Sequence, residues 1–316
     1  MHNWMFRRMK MEDVGKLALC EVEMDGLTPA KAALLRNLTA DEFEHFNKLL
    51  TVQGHLQLAQ LAFIGLDQAI KNMITSLGLD EEGKAFCGGD YAWLMGVATT
   101  LFSDVVSNEK RLIENMEKYL KEDFGSGSAE HIEWKTITSY LFDNDFIYSF
   151  CQGLRNVYQH EDFVLNCTAI NQEEGSAYLV VNFEHEMLSK CLNEGIRHQI
   201  HQFIEVRGEA SVPARRNIGA IIQVLYAQVA ALYAYYIQTA TTALDEHVFL
   251  VDRPSPHPKR QGNVIGVMAA NVTRKGFPKN GLFIPYSSEE CLRLKDGLTR
   301  KSMDDLTEIK KLALVG

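Results

Sequence analysis

The sequence predicts a mainly α-helical protein with a small α/β region at its C-terminal end. Two long stretches carry apolar residues at intervals of three and four, and a third long stretch has no charge; all three predict helices. Short apolar segments broken by Pro and Gly come near the C-terminus. We therefore predict an N-terminal extension (1–38), a helical domain (39–245) and a small α/β C-terminal region (246–316).

The composition is that of a folded soluble protein. Of its 316 residues 46% are hydrophobic and 23% charged, and its six cysteines lack the close spacing of zinc or redox sites. Arg7, Arg8 and Lys10 are not followed by an apolar stretch long enough for a signal peptide. We expect a cytoplasmic protein with reduced thiols. A net charge of −9 excludes a surface that binds nucleic acid over its whole extent.

Two long helices are predicted first along the chain. Thr39 followed by Asp41 and Glu42 resembles a helix start, and the apolar periodicity that follows predicts a helix over 39–77. A Gly-rich interruption at 83–89 separates it from an apolar stripe that predicts a second helix over 91–121. We expect the two helices to pack as antiparallel neighbours.

Two polar segments come next, and each has two interpretations. Segment 124–128 has the Gly and Ser content of a phosphate-binding loop, but it follows a helix and lacks a lysine, which favours a connector. Residues 143–145 (Asp-Asn-Asp) could bind a metal ion or cap a helix. Their position before an apolar periodic run favours the cap.

The helix predicted over 146–159 is amphipathic. Phe150, Leu154 and Val157 fall at helical spacing and predict a buried face. The other side is expected to be polar and carries Tyr148, Gln152, Arg155, Asn156 and Gln159.

The later segments predict a mixture of strands and helices. Residues 178–183 predict a strand, and 184–205 predict a helix. His198 and His201 in that helix are three residues apart, but no third metal ligand follows from the spacing, so a solvated face is favoured. Further predicted elements are short strands at Val248–Val251, Val264–Met268 and Leu282–Ile284 and a last helix at Asp304–Leu314.

The uncharged stretch 217–244 is long enough to cross a bilayer, and Arg215 and Arg216 before it suit that interpretation. However, its glutamines are spread around the helix and its tyrosines are not confined to the ends. This pattern favours a helix buried in a bundle or in a subunit interface.

The chemistry of the chain is best indicated by Arg155-Asn156-Val-Tyr-Gln-His160. Arginine keeps its charge at physiological pH and histidine titrates near neutrality, and this combination suits phosphodiester chemistry. In a helix Asn156 and His160 are close neighbours, whereas Arg155 lies about 140° from His160 at about 100° per residue. Arg155 and His160 can therefore contact the same substrate only at the edge of a groove or at the end of a helix.

The segment Leu154–His160 resembles the Arg-polar-X-X-X-His signature of HEPN domains (higher eukaryotes and prokaryotes nucleotide-binding), and the resemblance extends over about residues 90–245. It implies a dimeric helical bundle in which two motifs face each other, and a metal-independent endoribonuclease of a toxin–antitoxin or antiviral defence system. It also implies that His160 acts as general acid or base on the ribose 2′-hydroxyl or the leaving oxygen. Arg155 would stabilise the transition state, and Asn156 would orient one of them.

Two features depart from the pattern of that family. Some toxin members carry a tyrosine two residues after the histidine as a target for modification, and this chain has Asp162 there. Glu161 and Asp162 would repel phosphate, although they could raise the pKa of His160.

The expected partners are RNA, a second copy of the chain, and an antitoxin or a defence-complex subunit; we expect no metal, cofactor or membrane. Residues 253–279 contain six Lys or Arg and no Asp or Glu, which either a solvated loop or an RNA-binding surface explains. The family often has a further polar residue on the preceding helix, and Asp104 and Asn108 are the candidates. The expected substrate-binding residues are Asp104, Asn108, Tyr148, Gln159, Lys259, Arg260, Arg274 and Lys275.

Two other interpretations of the motif stay open. Arg155 could pair with a carboxylate of a neighbouring helix, while His160 only ends its helix with a favourable dipole interaction. A HEPN-like dimer without catalysis could instead serve as a sensor or scaffold of a larger complex.

Overall fold

The structure, a computed structural model, describes residues 17–25, 28–37, 39–80, 83–86, 88, 90–160, 165–171, 175–181, 194–195, 217–251, 263–269, 283–285 and 300–315. The protein is mainly α-helical. Its helices are α1 (Ala40–Leu77), α2 (Tyr91–Phe124), α3 (Ala129–Asn144), α4 (Phe146–His160), α5 (Ile218–Val251) and α6 (Arg300–Val315). Its strands are β1 (Leu17–Asp25), β2 (Thr28–Asn37), β3 (Lys84–Phe86), β4 (Leu165–Asn171), β5 (Ser176–Val181), β6 (Asn263–Ala269) and β7 (Phe283–Pro285).

Side-chain caps explain where the helices begin. At the start of α1, Thr39 and Glu42 each accept a hydrogen bond from the other's backbone N–H, at 3.3 and 2.9 Å respectively, and so confirm the predicted helix start. The next three helices begin at single caps: Asp90 accepts from the N–H of Trp93, Ser128 from that of His131 and Asp145 from that of Tyr148. The cap interpretation of 143–145 is therefore confirmed at Asp145.

Most of the predicted helices are confirmed. Helices α1, α2, α4, α5 and α6 agree with the predicted segments, and β5, β6 and β7 confirm predicted strands. Helix α3 and strands β3 and β4 are not among the predicted elements. The predicted helix over 184–205 lies outside the described residues except for 194–195, which are helical.

The predicted strand Val248–Val251 is wrong, because these residues form the last turn of α5. A run of β-branched and aromatic residues favours a strand when it stands alone. Here it directly continues a long helix, and no Pro or Gly precedes it to end that helix.

The chain divides into two compact units. The first comprises 1–57 and 237–298, and the second comprises 58–236 and 299–316, so that the division falls inside α1 and α5. The predicted boundaries after residues 38 and 245 differ from this division.

The first unit contains a four-stranded antiparallel sheet of order β2-β1-β6-β7. Strands β1 and β2 come from the predicted N-terminal extension, and β6 and β7 come from the predicted C-terminal region. Pro29 lies in β2, which is an edge strand among the described residues, and an edge strand tolerates a residue without an N–H. The sheet thus joins strands from the predicted N-terminal extension and the predicted C-terminal region. Residue spacing does not reveal which distant strands pair, so it does not predict this sheet.

The second unit contains a three-stranded antiparallel sheet of order β3-β5-β4. Asn217, at the start of α5, bridges to Val180 of β5 and accepts a hydrogen bond from the N–H of Gly219 at 2.8 Å. Gly83, next to β3, has φ +76°, and a Cβ at this position would lie 2.3 Å from the Asn217 Oδ1. Only glycine fits there, so Gly83 lets the sheet lie close to the start of α5.

Aromatic side chains join the helices in the core of the second unit. Phe63 of α1 stacks on Tyr233 of α5 with ring centroids 4.2 Å apart. Trp134 of α3 is fully buried, and its ring centroid lies 5.9 Å from the ring centroid of Tyr235 of α5. Because aromatic rings bury much apolar surface, these contacts fix α5 against two other helices.

Helix α5 is the candidate for a membrane span in the part of the chain that the structure describes. Its segment Ile218–Ala243 is long and apolar enough by composition, with a mean hydropathy of 1.5. However, 61% of the window is buried inside the protein, and the Tyr235 hydroxyl donates to the carbonyl of Glu130 at 2.8 Å. The burial is compatible with the core helix of a soluble protein.

Candidate functional site

The motif occupies the C-terminal end of α4, which is helical from Phe146 to His160. The side chains of residues 155–160, which include Arg155, Asn156, Gln159 and His160, lie outside the described part of the structure. Their backbone positions are described. Positions 156 and 160 are four residues apart on one helix, so they share a face, and position 155 lies about 140° from position 160.

The preceding turns of α4 are held tightly in the second unit. Phe150, Cys151 and Leu154 are fully buried, which confirms the predicted apolar face at Phe150 and Leu154. Tyr148 is only 2% exposed, and the expectation that it lies on a polar face is therefore wrong. Burial, followed by the nearby carboxyls of Glu109 and Glu117, holds the pKa of Tyr148 well above its ordinary value.

A buried carboxyl group of α2 lies against α4. The side chain of Glu109 is fully buried, and its Oε1 accepts a hydrogen bond from the Gln152 Nε2. The Glu109 Oε2 has no hydrogen-bond partner among the described residues. The Lys110 Nζ donates to the backbone carbonyl of Gln152 at 3.4 Å, so that two neighbouring residues of α2 bind the same residue of α4.

The environment of Glu109 favours its neutral form. Burial raises the pKa of Glu109 to about 8, against the lowering effects of the Lys110 charge and the Gln152 hydrogen bond. Burial first, and then Glu109, also hold the pKa of the Cys151 thiol well above its ordinary value. At pH 7 the carboxyl group is mostly protonated, whereas Cys151 is an unreactive thiol.

Gln152 links this buried pair to the motif. It lies three residues before Arg155 and four before Asn156, a spacing that puts these positions on the same side of a helix. Position 155 also lies four residues after Cys151. The face of α4 that meets Glu109 therefore continues into the start of the motif.

The described contacts of the two residues predicted on the preceding helix lie within α2 and towards α1. The Asn108 Nδ2 donates to the backbone carbonyl of Asp104 at 2.8 Å, and the Asn108 Oδ1 accepts from the Arg111 Nη2 at 2.7 Å. A Cβ placed on Gly65 of α1 would lie 3.6 Å from the same oxygen, so Asn108 faces α1. Asp104 is exposed. Neither residue makes a hydrogen bond to a described side chain of α4.

Sequence reasoning missed Glu109, the polar residue of α2 that does contact α4. A signal was present, because Glu109 stands four residues after Val105 and three before Leu112, on the stripe of apolar residues. A charged residue within such a stripe predicts a buried polar contact.

The predicted RNA-binding residues Lys259, Arg260, Arg274 and Lys275 lie outside the described residues, as do His198 and His201. Within the described ranges, no group of three or more His, Cys, Asp or Glu side chains could hold a metal ion.

Comparison with protein-family models, with curated proteins and with solved structures gives no match. The resemblance to HEPN domains therefore depends on the residues of the motif and stays a prediction.

Proposed function

We propose that the protein is a metal-independent endoribonuclease of the HEPN type, in which the helices around α4 form a HEPN-like antiparallel bundle. The observation that supports the proposal best is the continuity of α4 through His160. It sets the three chemical groups of the motif on the last turns of one helix, whose earlier turns are packed against α2. A rigid helix suits catalysis, because side chains on it hold their positions better than side chains on a loop.

In the proposed reaction, His160 takes the proton from a ribose 2′-hydroxyl, and that oxygen attacks the adjacent phosphorus. Arg155 stabilises the negative charge that develops on the phosphoryl oxygens, and Asn156 orients the reacting groups. The 5′-oxygen leaves with a proton, so the products carry a 2′,3′-cyclic phosphate and a 5′-hydroxyl. A chain with one motif histidine needs a second acid, which the His160 of a symmetric second copy would supply.

The proposal assigns the remaining predicted residues to RNA binding and regulation. Lys259, Arg260, Arg274 and Lys275 bind phosphates, and Gln159, which lies within the motif on α4, binds the substrate. The protein acts in the cytoplasm on RNA, and an antitoxin or a defence-complex subunit restrains it.

The test is RNA cleavage by the purified full-length protein in excess EDTA. We expect cleavage products with 2′,3′-cyclic phosphate ends, and a loss of at least about 100-fold in rate on His160→Ala, as for removal of a general acid or base. His45→Ala is the matched control, since His45 lies on α1 outside the motif, and it should cleave like the wild type.

Two results would overturn the proposal. Intact RNA under these conditions would favour the non-catalytic dimer that serves as a sensor or scaffold, and equal cleavage by His160→Ala would remove the motif from the chemistry. The dimer is tested separately by light scattering, which should give about twice the 35.7 kDa of one chain.

A further inference from the structure

The contact between Glu109 and Gln152 is unusual for its charge state and its position. A carboxyl group with one oxygen bonded to Gln152 and the other without a partner among the described residues lies fully buried between two helices. Ionising such a group costs free energy, because the charge loses its water, and no described side chain forms an ion pair with it. The contact also lies one turn before the proposed catalytic positions.

We propose that Glu109 is a positioning residue of the ribonuclease site, and that its protonated carboxyl group, bonded to Gln152, holds the motif-bearing end of α4 against α2. This inference rests on the proposed function of α4. Glu109 itself touches no reacting atom in this proposal. It acts through Gln152, which is three and four residues before Arg155 and Asn156.

The ionisable groups around Glu109 explain the direction of the effect. On its own helix, the Lys110 charge lowers the pKa of Glu109, and Glu114 raises it. On α4, the buried Tyr148 and Cys151 face Glu109, and both are neutral at pH 7 because burial raises the pKa of each. No group among these fully neutralises a carboxylate at Glu109. In the proposal, ionisation of Glu109 costs less free energy when the end of α4 opens and water reaches the carboxylate.

The sign of the pH dependence follows from linkage. The pKa of Glu109 is raised in the closed structure from its ordinary value of 4.5 to about 8. Protonation therefore stabilises the closed contact fully below about pH 4.5, and this stabilisation is lost as the pH rises through about 8. Between these limits the equilibrium for opening should rise about tenfold per pH unit, and above pH 8 it should level off.

Hydrogen exchange of the full-length protein tests the inference without any RNA. Exchange in peptides that cover 153–160, corrected for the intrinsic effect of pH, should become about 100-fold faster in the wild type between pH 5.5 and 7.5. Glu109→Gln keeps the acceptor for Gln152 and cannot ionise, so its corrected exchange should stay constant. Glu122→Gln, a change at an exposed glutamate of α2, is the matched control and should behave like the wild type.

A second variant guards against misfolding of the first. Gln152→Met removes the hydrogen bond and leaves Glu109 in place, so exchange at 153–160 should be about tenfold faster at pH 5.5 than in the wild type. Constant corrected exchange in the wild type, or the same pH dependence in Glu109→Gln, would overturn the inference.

The activity distinguishes a failure of this inference from a failure of the proposed function. If RNA is cleaved, kcat should fall towards high pH in both proteins, because the proposed acid loses its proton, and the fall should be steeper in the wild type than in Glu109→Gln. Cleavage with identical pH profiles in both proteins, together with constant exchange, leaves the ribonuclease standing and rejects the role of Glu109. Intact RNA with pH-dependent exchange rejects the ribonuclease and retains the contact as a proton-sensitive one.

Discussion

Two glutamates of the second unit join helices, and they differ in their access to water. Glu109 of α2 is fully buried and accepts a hydrogen bond from Gln152 of α4. Glu133 of α3 has 32% of its side chain exposed; it accepts a hydrogen bond from the Tyr235 hydroxyl at 3.2 Å and pairs with the Lys310 Nζ at 3.0 Å. Both contacts connect elements that are far apart in the sequence.

The difference shows that burial determines whether a polar contact responds to pH or to salt. Burial raises the pKa of the Glu109 carboxyl group to about 8, so it is mostly protonated at pH 7 and responds to pH. The partly exposed pair of Glu133 and Lys310 keeps its charges in contact with water, and it responds to salt instead. A contact near the proposed site is thus sensitive to protons, and a contact that attaches the last helix is sensitive to ions.

The largest expected change in the free energy of unfolding comes from truncating Glu109, the buried glutamate. Glu109→Ala should lower the free energy of unfolding by about 3 kcal/mol at pH 6, because it leaves a cavity and deprives Gln152 of its acceptor. Urea denaturation at pH 6 measures it. A loss below about 1 kcal/mol would mean that the group is hydrated and that the comparison fails.

A control on the same helix sharpens that measurement. Glu122→Ala removes an exposed carboxylate 3.9 Å from the Lys118 Nζ. Exposed ion pairs of this kind contribute little to stability. It should change the free energy of unfolding by no more than about 0.5 kcal/mol. An equal loss in both variants would point to a general effect of α2 and not to burial at Glu109.

The sequence predicts the helices of this protein better than their partners. Helices α1 and α2 follow from apolar periodicity and end signals, which are local properties of the chain. The pairing of β1 with β6 joins residues near opposite ends of the chain, and no local property specifies it. The buried residues of α3 fall at helical spacing, but polar residues between them and a Gly-rich segment before them concealed this helix.

The same limit applies to the candidate site. Residue types and spacing suffice to propose the motif on α4 and the cap at Asp145. They do not reveal which side of α2 meets α4, and a shift of one residue turns a side chain by about 100°. For this reason residue types alone point to Asn108, and they do not reveal that its neighbour Glu109 contacts Gln152 of α4.

An intermediate effect is expected at Tyr235, which connects α5 to α3 and donates a hydrogen bond to Glu133, the partly exposed glutamate. Its hydroxyl donates to the Glu130 carbonyl at 2.8 Å, and Tyr235→Phe should lower the free energy of unfolding by about 1.5 kcal/mol. Tyr236→Phe is the matched control, because the neighbouring hydroxyl is buried with no partner among the described residues. That change should be neutral or stabilise by up to about 1 kcal/mol. Equal losses in thermal or urea denaturation would show that the Tyr235 hydrogen bonds contribute nothing specific.

The smallest expected effect, and the one that separates control by salt from control by pH, is at Lys310. Its Nζ lies 3.0 Å from Glu133 and 4.6 Å from the ring centroid of Tyr235, so it attaches α6 through an ion pair and a cation–π contact. Lys310→Met keeps the apolar stem and removes the charge, and it should cost about 0.5 kcal/mol at low salt. Near 1 M salt the loss should fall towards the cation–π share alone, because salt screens the partly exposed pair. Lys311→Met, a change at the exposed neighbouring lysine, should show neither the loss nor its salt dependence. A cost at Lys310 that varies with pH between 5 and 8 but not with salt would contradict the distinction between the two glutamates.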